Sequence, residues 1–209
     1  MAGLIGVFGG TFDPPHVGHL ILASEAFHQL QFDRLLWVLT ADPPHKQGCP
    51  IAPVSQRLDL LQAALAGNLA FELSRVDIDR PAPHYALDTL RILRGQNPGA
   101  ALVYLMGGDS LQDLPTWHKP QEFLAACDAI GVMCRPGYDS DLAELESQLP
   151  GLTAKVRWID TPRLEISSSK IRKRIAQGGA FRYYLTPPVY QLIQERHLYR
   201  PPTQVHPPL

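Results

Sequence analysis

Apolar residues along the chain fall into short unbroken runs, separated by stretches where they recur every three or four positions. Residues 4–8 form one such run, ended by Gly9-Gly10, and Val17, Leu20, Ile21 and Phe27 then follow at helical spacing. The pattern predicts strand, loop and helix. Residues 35–39 read as a second strand. Pro43, Pro44, Pro50 and Pro53 keep the next stretch extended, until Val54, Leu58, Leu61 and Leu65 mark a helix with Gly67 just past its end. The unit then repeats, with a weaker strand at 69–73, a helix from about 85 to 94 closed by Gly95, a strand at 101–106, a helix near 121–126 and a strand at 129–133. A strand at 156–159, a helix at 167–177 and a last helix with Val189, Leu192 and Ile193 on one side complete the series.

Strands that are apolar at nearly every position are buried on both faces, and their alternation with helices predicts a doubly wound α/β fold. Its sheet is mainly parallel, with helices on both faces. In such sheets ligands bind beyond the carboxyl ends of strands, so the loops after Phe8, Met106 and Ile159 are the places for chemistry. Residues 1–200 are expected to form one domain, and Pro201, Pro202, Pro207 and Pro208 make 201–209 a loose tail.

Composition removes several function classes. A chain of 209 residues that is 45% hydrophobic can bury one good core. Its 19 Lys plus Arg against 20 Asp plus Glu, net charge -1, provide no field for a nucleic acid or a membrane surface. Any anion it binds is small and met locally. The odd set Cys49, Cys127 and Cys134 argues against a disulfide framework and for reduced thiols, with Cys127 and Cys134 as inert core groups beside an apolar strand. No uncharged apolar stretch reaches the length of a membrane span, and the first basic side chain is Arg34, so the chain is expected to be soluble, unprocessed and cytoplasmic.

Two segments carry chemistry. Gly9, Gly10, Thr11, Phe12, Asp13, Pro14, Pro15, His16, Val17, Gly18 and His19 lead from the first strand into the first helix. Glycines let main-chain N–H groups approach a ligand, and a helix start adds partial positive charge, a combination that suits phosphate. The loop lacks the Lys-Ser/Thr of a P-loop and the spacing of a dinucleotide fingerprint. His16 and His19 stand three apart, where both can face one ligand, and a side chain at Gly18 would obstruct whatever lies over the helix start. A zinc site would need His45 or Cys49 as well, on a proline-rich loop without ligand spacing, so no resident metal is expected.

The second segment, Ile166-Ser167-Ser168-Ser169-Lys170-Ile171-Arg172-Lys173-Arg174, joins a capping serine run to four basic residues. Cations in the first turns of a helix oppose its dipole, and a polyphosphate between them reverses the sign. Ser168 and Arg172 are the strongest candidates, while Lys170, Lys173 and Arg174 also read as a solvated basic face.

Together, G-G-T-F-D-P-x-H-x-G-H and I-S-S-x-x-I-R resemble the paired signatures of the HxGH-type nucleotidyltransferases, whose fold is Rossmann-like. Over nearly the whole chain up to residue 200, the sequence is most similar to the bacterial nicotinate-nucleotide adenylyltransferases. Matching pieces are Pro43-Pro44-His45-Lys46, the stretch 84–90, Gly107-Gly108-Asp109-Ser110-Leu111, Pro115-Thr116-Trp117 and Arg135-Pro136-Gly137. The resemblance implies transfer of AMP from ATP, with Mg²⁺, to nicotinate mononucleotide. The implied ATP contacts are Gly9, Gly10, Thr11, Phe12, His16, Gly18, His19, Gly107, Asp109, Ile166, Ser167, Ser168 and Arg172, of which His16, His19 and Arg172 are catalytic. The implied mononucleotide contacts are Gly10, Thr11, Phe12, Lys46, Tyr85, Ala86, Asp109, Trp117 and His118. His84-Tyr85-Ala86 stands where the family usually has Ser-Tyr-Thr, but main-chain N–H groups near Ala86 and His118 can still meet the pyridine carboxylate. Small substrates are the expected partners, without nucleic acid or membrane, and self-association is left open.

The chemistry demands little of the protein beyond placement. A phosphate monoester is already an anionic nucleophile at pH 7, so no general base is needed. Donors must bring two anions in line at the α-phosphorus and stabilise charge on its oxygens. Trp117 offers an indole plane to the pyridine ring, and Asp109, at a strand end, can accept from a ribose hydroxyl or cap the helix expected at 110–114.

Overall fold

The computed structural model describes residues 3–43, 50–134, 142–162 and 164–201. His45, Lys46, Cys49, the 135–137 piece and the side chain of Cys134 lie outside what is described. Six strands form one sheet: β1 (Leu4–Gly10), β2 (Arg34–Leu39), β3 (Phe71–Ser74), β4 (Ala101–Gly107), β5 (Ala129–Cys134) and β6 (Val156–Asp160). Their order is β3-β2-β1-β4-β5-β6 and every pairing is parallel. From β1 the chain winds outward to β2 and β3, then returns to β1's other side with β4. The strand order therefore reverses between β1 and β4, and that is where a crevice opens beyond the carboxyl ends of an α/β sheet.

The central strands are buried on both faces, as their apolar runs require. Ile5, Val7, Leu36, Val38, Leu102 and Ile130 pack with α3 (Ala86–Gln96) and α5 (Pro120–Ala126) on one side of the sheet. Phe8, Leu35, Trp37, Leu39, Val103 and Leu105 pack with α1 (Val17–Leu30) and α2 (Val54–Leu65) on the other. A third cluster joins Leu60 of α2 to Ile171 and Ile175 of α8 (Ser168–Ala176) and to Val189 and Ile193 of α9 (Pro187–Glu195). Thus the second chemical segment is carried on a helix fixed against the same layer as the first.

The short helix expected at 110–114 is α4 (Gly108–Gln112), which starts two residues earlier, whereas α6 (Leu142–Gln148) and α7 (Leu152–Lys155) have no periodic apolar signal and were not expected. Helix α3 runs through Gly95 rather than stopping there. Its end is made by Asn97, whose amide donates to the Leu93 carbonyl at 2.7 Å, and by Gly99 at φ +81°. Leu69, expected to open the third strand, is 98% exposed and precedes it.

Candidate active site

Helix α1 begins at Val17, and two of the N–H groups at its N-terminus are met by imidazoles. His16, the N-cap, accepts from the His19 N–H at Nδ1 (3.3 Å), while His19 Nδ1 accepts from the His16 N–H (3.2 Å). This is a capping box built from two histidines. Accepting at Nδ1 fixes the proton of each neutral ring on Nε2. The rings stack at 3.6 Å and 22°, an arrangement that opposes charging both. Burial holds His16 down at a pKa of about 4, only partly offset by its backbone hydrogen bond. Neutral His16 therefore presents an Nε2–H donor without a permanent positive charge.

Gly18 also makes room inside the protein itself. A Cβ there would sit 3.0 Å from His16 Nδ1 and 3.5 Å from the Ile166 Cβ, so glycine makes room for the ring itself and for the second segment. Gly9 has a similar constraint, because its Cβ would lie 2.9 Å from the Tyr104 hydroxyl of β4. Phe12 adopts φ +47°, an uncommon conformation for a bulky residue, with its ring buried against Phe8, Trp37 and the His19 imidazole. Contact of Phe12 with a ligand is left to its main chain.

The second segment closes onto the first. Ser167 caps α8, accepting from the Lys170 N–H at 3.3 Å. The Ser168 hydroxyl donates to the Pro14 carbonyl (2.8 Å) and Arg172 Nη1 to the Asp13 carbonyl (2.6 Å). The residues expected to hold phosphates brace the main chain of the glycine–histidine loop here. Lys170, Lys173 and Arg174 are exposed, matching the solvated face.

Three residues that hold this loop had not been singled out as functional. Arg57 of α2 is 1% exposed and donates to four carbonyls: Ala52 (2.9 Å), Thr11 (3.0 Å), Thr40 (2.9 Å) and Ala41 (2.7 Å). It ties together the loops after β1 and β2. Burial lowers its pKa, against the opposing pull of Asp13, Tyr199 and Asp42. Asp13, itself buried, accepts from the Tyr199 hydroxyl (2.7 Å) and the Ala52 N–H (3.3 Å), with Arg172 at 3.7 Å. Burial, then Asp13, raises the Tyr199 phenol's pKa. The signal for Arg57 was visible, since position 57 falls on the apolar stripe of Val54, Leu58 and Leu61.

Beside the loop, at the strand-order reversal, lies a cavity of about 620 Å³. Tyr85, Ala86, Trp117 and His118, expected around the pyridine, line it together, with Gly9 of the loop also on its wall. Trp117 is half-buried, edge-on to Phe123 at 5.2 Å and Tyr104 at 6.1 Å, which makes it both core and wall. Tyr85 and His118 stack at 4.0 Å and 14°. His84 straps two loops, accepting from the Asp42 N–H at Nδ1 (3.2 Å) with Nε2 3.2 Å from the Arg80 carbonyl. Asp109 is exposed in the first turn of α4 and is not its cap, which is Gly107. Cys127 is buried, and that burial pushes its thiol up to about 12, so it is inert.

Parallel sheet, reversal crevice and a glycine–histidine loop closed by a serine–arginine helix define a nucleotide-handling α/β protein. Residues 7–174 match the Cytidylyltransferase-like family model. A protein named "probable nicotinate-nucleotide adenylyltransferase" from Thermomicrobium roseum is 44% identical over 196 residues, covering 94% of this chain and 91% of its own length. One of the same name from Exiguobacterium sibiricum is 41% identical, covering 93% and 98%. The solved Plasmodium falciparum nicotinic acid mononucleotide adenylyltransferase, complexed with NaAD, superposes with a TM-score of 0.76 over 94% of this chain and 97% of its own, at 18% identity, a likeness of fold. The chain belongs to the nicotinate-nucleotide adenylyltransferase family.

Proposed function

We propose that this protein transfers AMP from MgATP to nicotinate mononucleotide, releasing pyrophosphate and forming nicotinate adenine dinucleotide for NAD biosynthesis. The observation that carries the reading is the cavity at the strand-order reversal, walled by Trp117, Tyr85 and His118 and bordered by Gly9, the first residue of the glycine–histidine segment. The mononucleotide phosphate oxygen attacks the α-phosphorus, and the bond to the bridging oxygen of pyrophosphate breaks.

In this reading His16 and His19 aim Nε2–H donors at the α-phosphate. Main-chain N–H groups of Gly9, Gly10, Thr11 and Phe12 add further donors. Ser167, Ser168, Ile166 and Arg172 meet the β- and γ-phosphates, Arg172 by leaving the Asp13 carbonyl, and Lys46 adds a cation from the loop after β2. Gly107 and Asp109 face the ribose. Trp117 stacks on the pyridine, and N–H groups near Ala86 and His118 receive its carboxylate. The described donors near the loop are N–H and hydroxyl groups, which suit phosphate oxygens, and no cluster of three or more metal-binding side chains occurs among the described residues. In this reading Mg²⁺ arrives on the triphosphate as part of the substrate.

The reading places the enzyme in the cytoplasm, in keeping with the absence, among the described residues, of any helix long and apolar enough to cross a membrane. Residues 1–200 act as the catalytic domain, with 201–209 outside it. Purified protein given MgATP and nicotinate mononucleotide is expected to release pyrophosphate and nicotinate adenine dinucleotide in equal amounts. Absence of both products refutes the reading.

A further inference from the structure

The wall of the same cavity contains a feature at odds with an anionic ligand. Asp77, in the loop between β3 and α3, is 2% exposed and lines the cavity together with Thr89, Tyr85 and Ala86. A buried carboxylate beside the place meant for the substrate's own carboxylate repels it, at short range and with little water to screen the charges. Left bare, Asp77 would favour the amide form of the ring over the acid. The other carboxylate on the wall, Asp113, is exposed and screened by solvent.

Asp77 is not bare. Three donors converge on its Oδ1: Arg80 Nη2 at 2.9 Å, Arg80 Nε at 3.1 Å and the Thr89 hydroxyl at 2.7 Å. The pair is withdrawn from solvent, with side-chain exposures of 14% for Arg80 and 3% for Asp77. The same guanidinium donates to the carbonyls of Pro83 (2.8 Å) and Tyr85 (3.3 Å), the residues that lead into α3. One cation thus neutralises the wall and sets the main chain from which the Ala86 N–H emerges. A lysine offers no planar fork with which to do both.

We infer that Arg80 is a positioning residue that sets the preference for nicotinate over nicotinamide mononucleotide by cancelling the Asp77 charge in the base pocket. The inference rests on the function proposed above and deepens it. It makes Asp77, and not the reacting phosphates, the reason Arg80 is needed.

The test is the ratio of kcat/KM for the two mononucleotides in the wild type, Arg80→Gln, Asp77→Asn and the double variant, with KM for ATP measured alongside. Arg80→Gln is expected to lower the acid-to-amide ratio at least tenfold, about 1.4 kcal/mol, mainly through KM for the acid, with KM for ATP nearly unchanged. Asp77→Asn should keep or raise the ratio. Removing both charges should return the ratio to within about threefold of the wild type, whatever the loss of stability, since the wall is again neutral. A merely structural Arg80 would depress both substrates together and leave the ratio intact, and that result overturns the inference. Should Arg80→Gln fail to fold, the double variant and Asp77→Asn decide, a tenfold fall of the ratio in either one counting against it. A wild type inactive on both mononucleotides removes the proposed function and this inference together, whereas an active wild type whose ratio the substitutions leave intact removes the inference alone.

Discussion

Replacing Arg57 with methionine keeps much of the aliphatic stem while deleting every one of its hydrogen bonds. Four carbonyls, of Thr11, Thr40, Ala41 and Ala52, lose their donor in a region where Arg57 itself is 1% exposed. An unmet buried acceptor costs about 1–3 kcal/mol. If water reaches two of the four loop carbonyls, the other two leave a loss of about 2–6 kcal/mol, a range that includes the cost of breaking a buried ion pair. Against a total stability on the order of 5–15 kcal/mol the variant should still fold. Its urea midpoint should fall by roughly 1–2 M at an unchanged slope. Turnover should fall as well, because Thr11 belongs to the glycine–histidine loop. Arg57→Lys, able to reach one or two of the carbonyls, should lie between. A loss below about 1 kcal/mol for methionine would show that the four bonds do not hold the two loops together.

His16 gives a pH prediction with a definite sign. Its pKa is about 4 when folded, against an ordinary value of 6.5, so the unfolded chain binds a proton in the interval where the folded one does not. Its contribution to stability is present above pH 6.5 and lost between 6.5 and 4, about 3 kcal/mol in all. His16→Asn should flatten that part of a urea-midpoint profile, and a His16 imidazole titrating near 6.5 by NMR would contradict the burial argument. His19→Ala is expected to lower kcat by about two orders of magnitude, as for loss of one transition-state donor, and near-normal turnover takes His19 out of the chemistry. Trp117→Ala should raise KM for both mononucleotides alike and leave KM for ATP unchanged. A selective loss of the acid would mean the indole reads the carboxylate and does not simply stack.

The strands were readable because burial on both faces leaves no alternative to continuous apolar runs. The longer helices were readable because one buried stripe repeats every three to four residues. Where those conditions failed, the reading failed too. Four-residue α7 has no room for a period, and α3 passed Gly95 because Asn97 and Gly99 supply a better stop. The first chemical loop was legible through its glycines and histidines, but not the way its two rings satisfy each other's main chain. The clearance that Gly18 gives the His16 ring was not legible either. Asp77, Arg80 and Thr89 escaped notice because their meaning is a three-way contact, and each alone resembles ordinary loop polarity. Arg57 could have been caught, as a guanidinium on an apolar helix face must find carbonyls or carboxylates inside.

The hydrogen bond from Tyr199 to Asp13 spans 186 positions of the chain. Sheet pairings and the double-histidine cap draw on earlier residues, so during synthesis they can form first. The loop's last anchor cannot, because Tyr199 does not yet exist. At translation rates of about 5–20 residues per second, the interval between the two residues lasts roughly ten to forty seconds. Over that interval the nascent protein carries its glycine–histidine loop with the Asp13 carboxylate lacking the phenol's proton. The loop therefore gains its phenol anchor only once Tyr199 has been made, and not with the first folded half of the sheet.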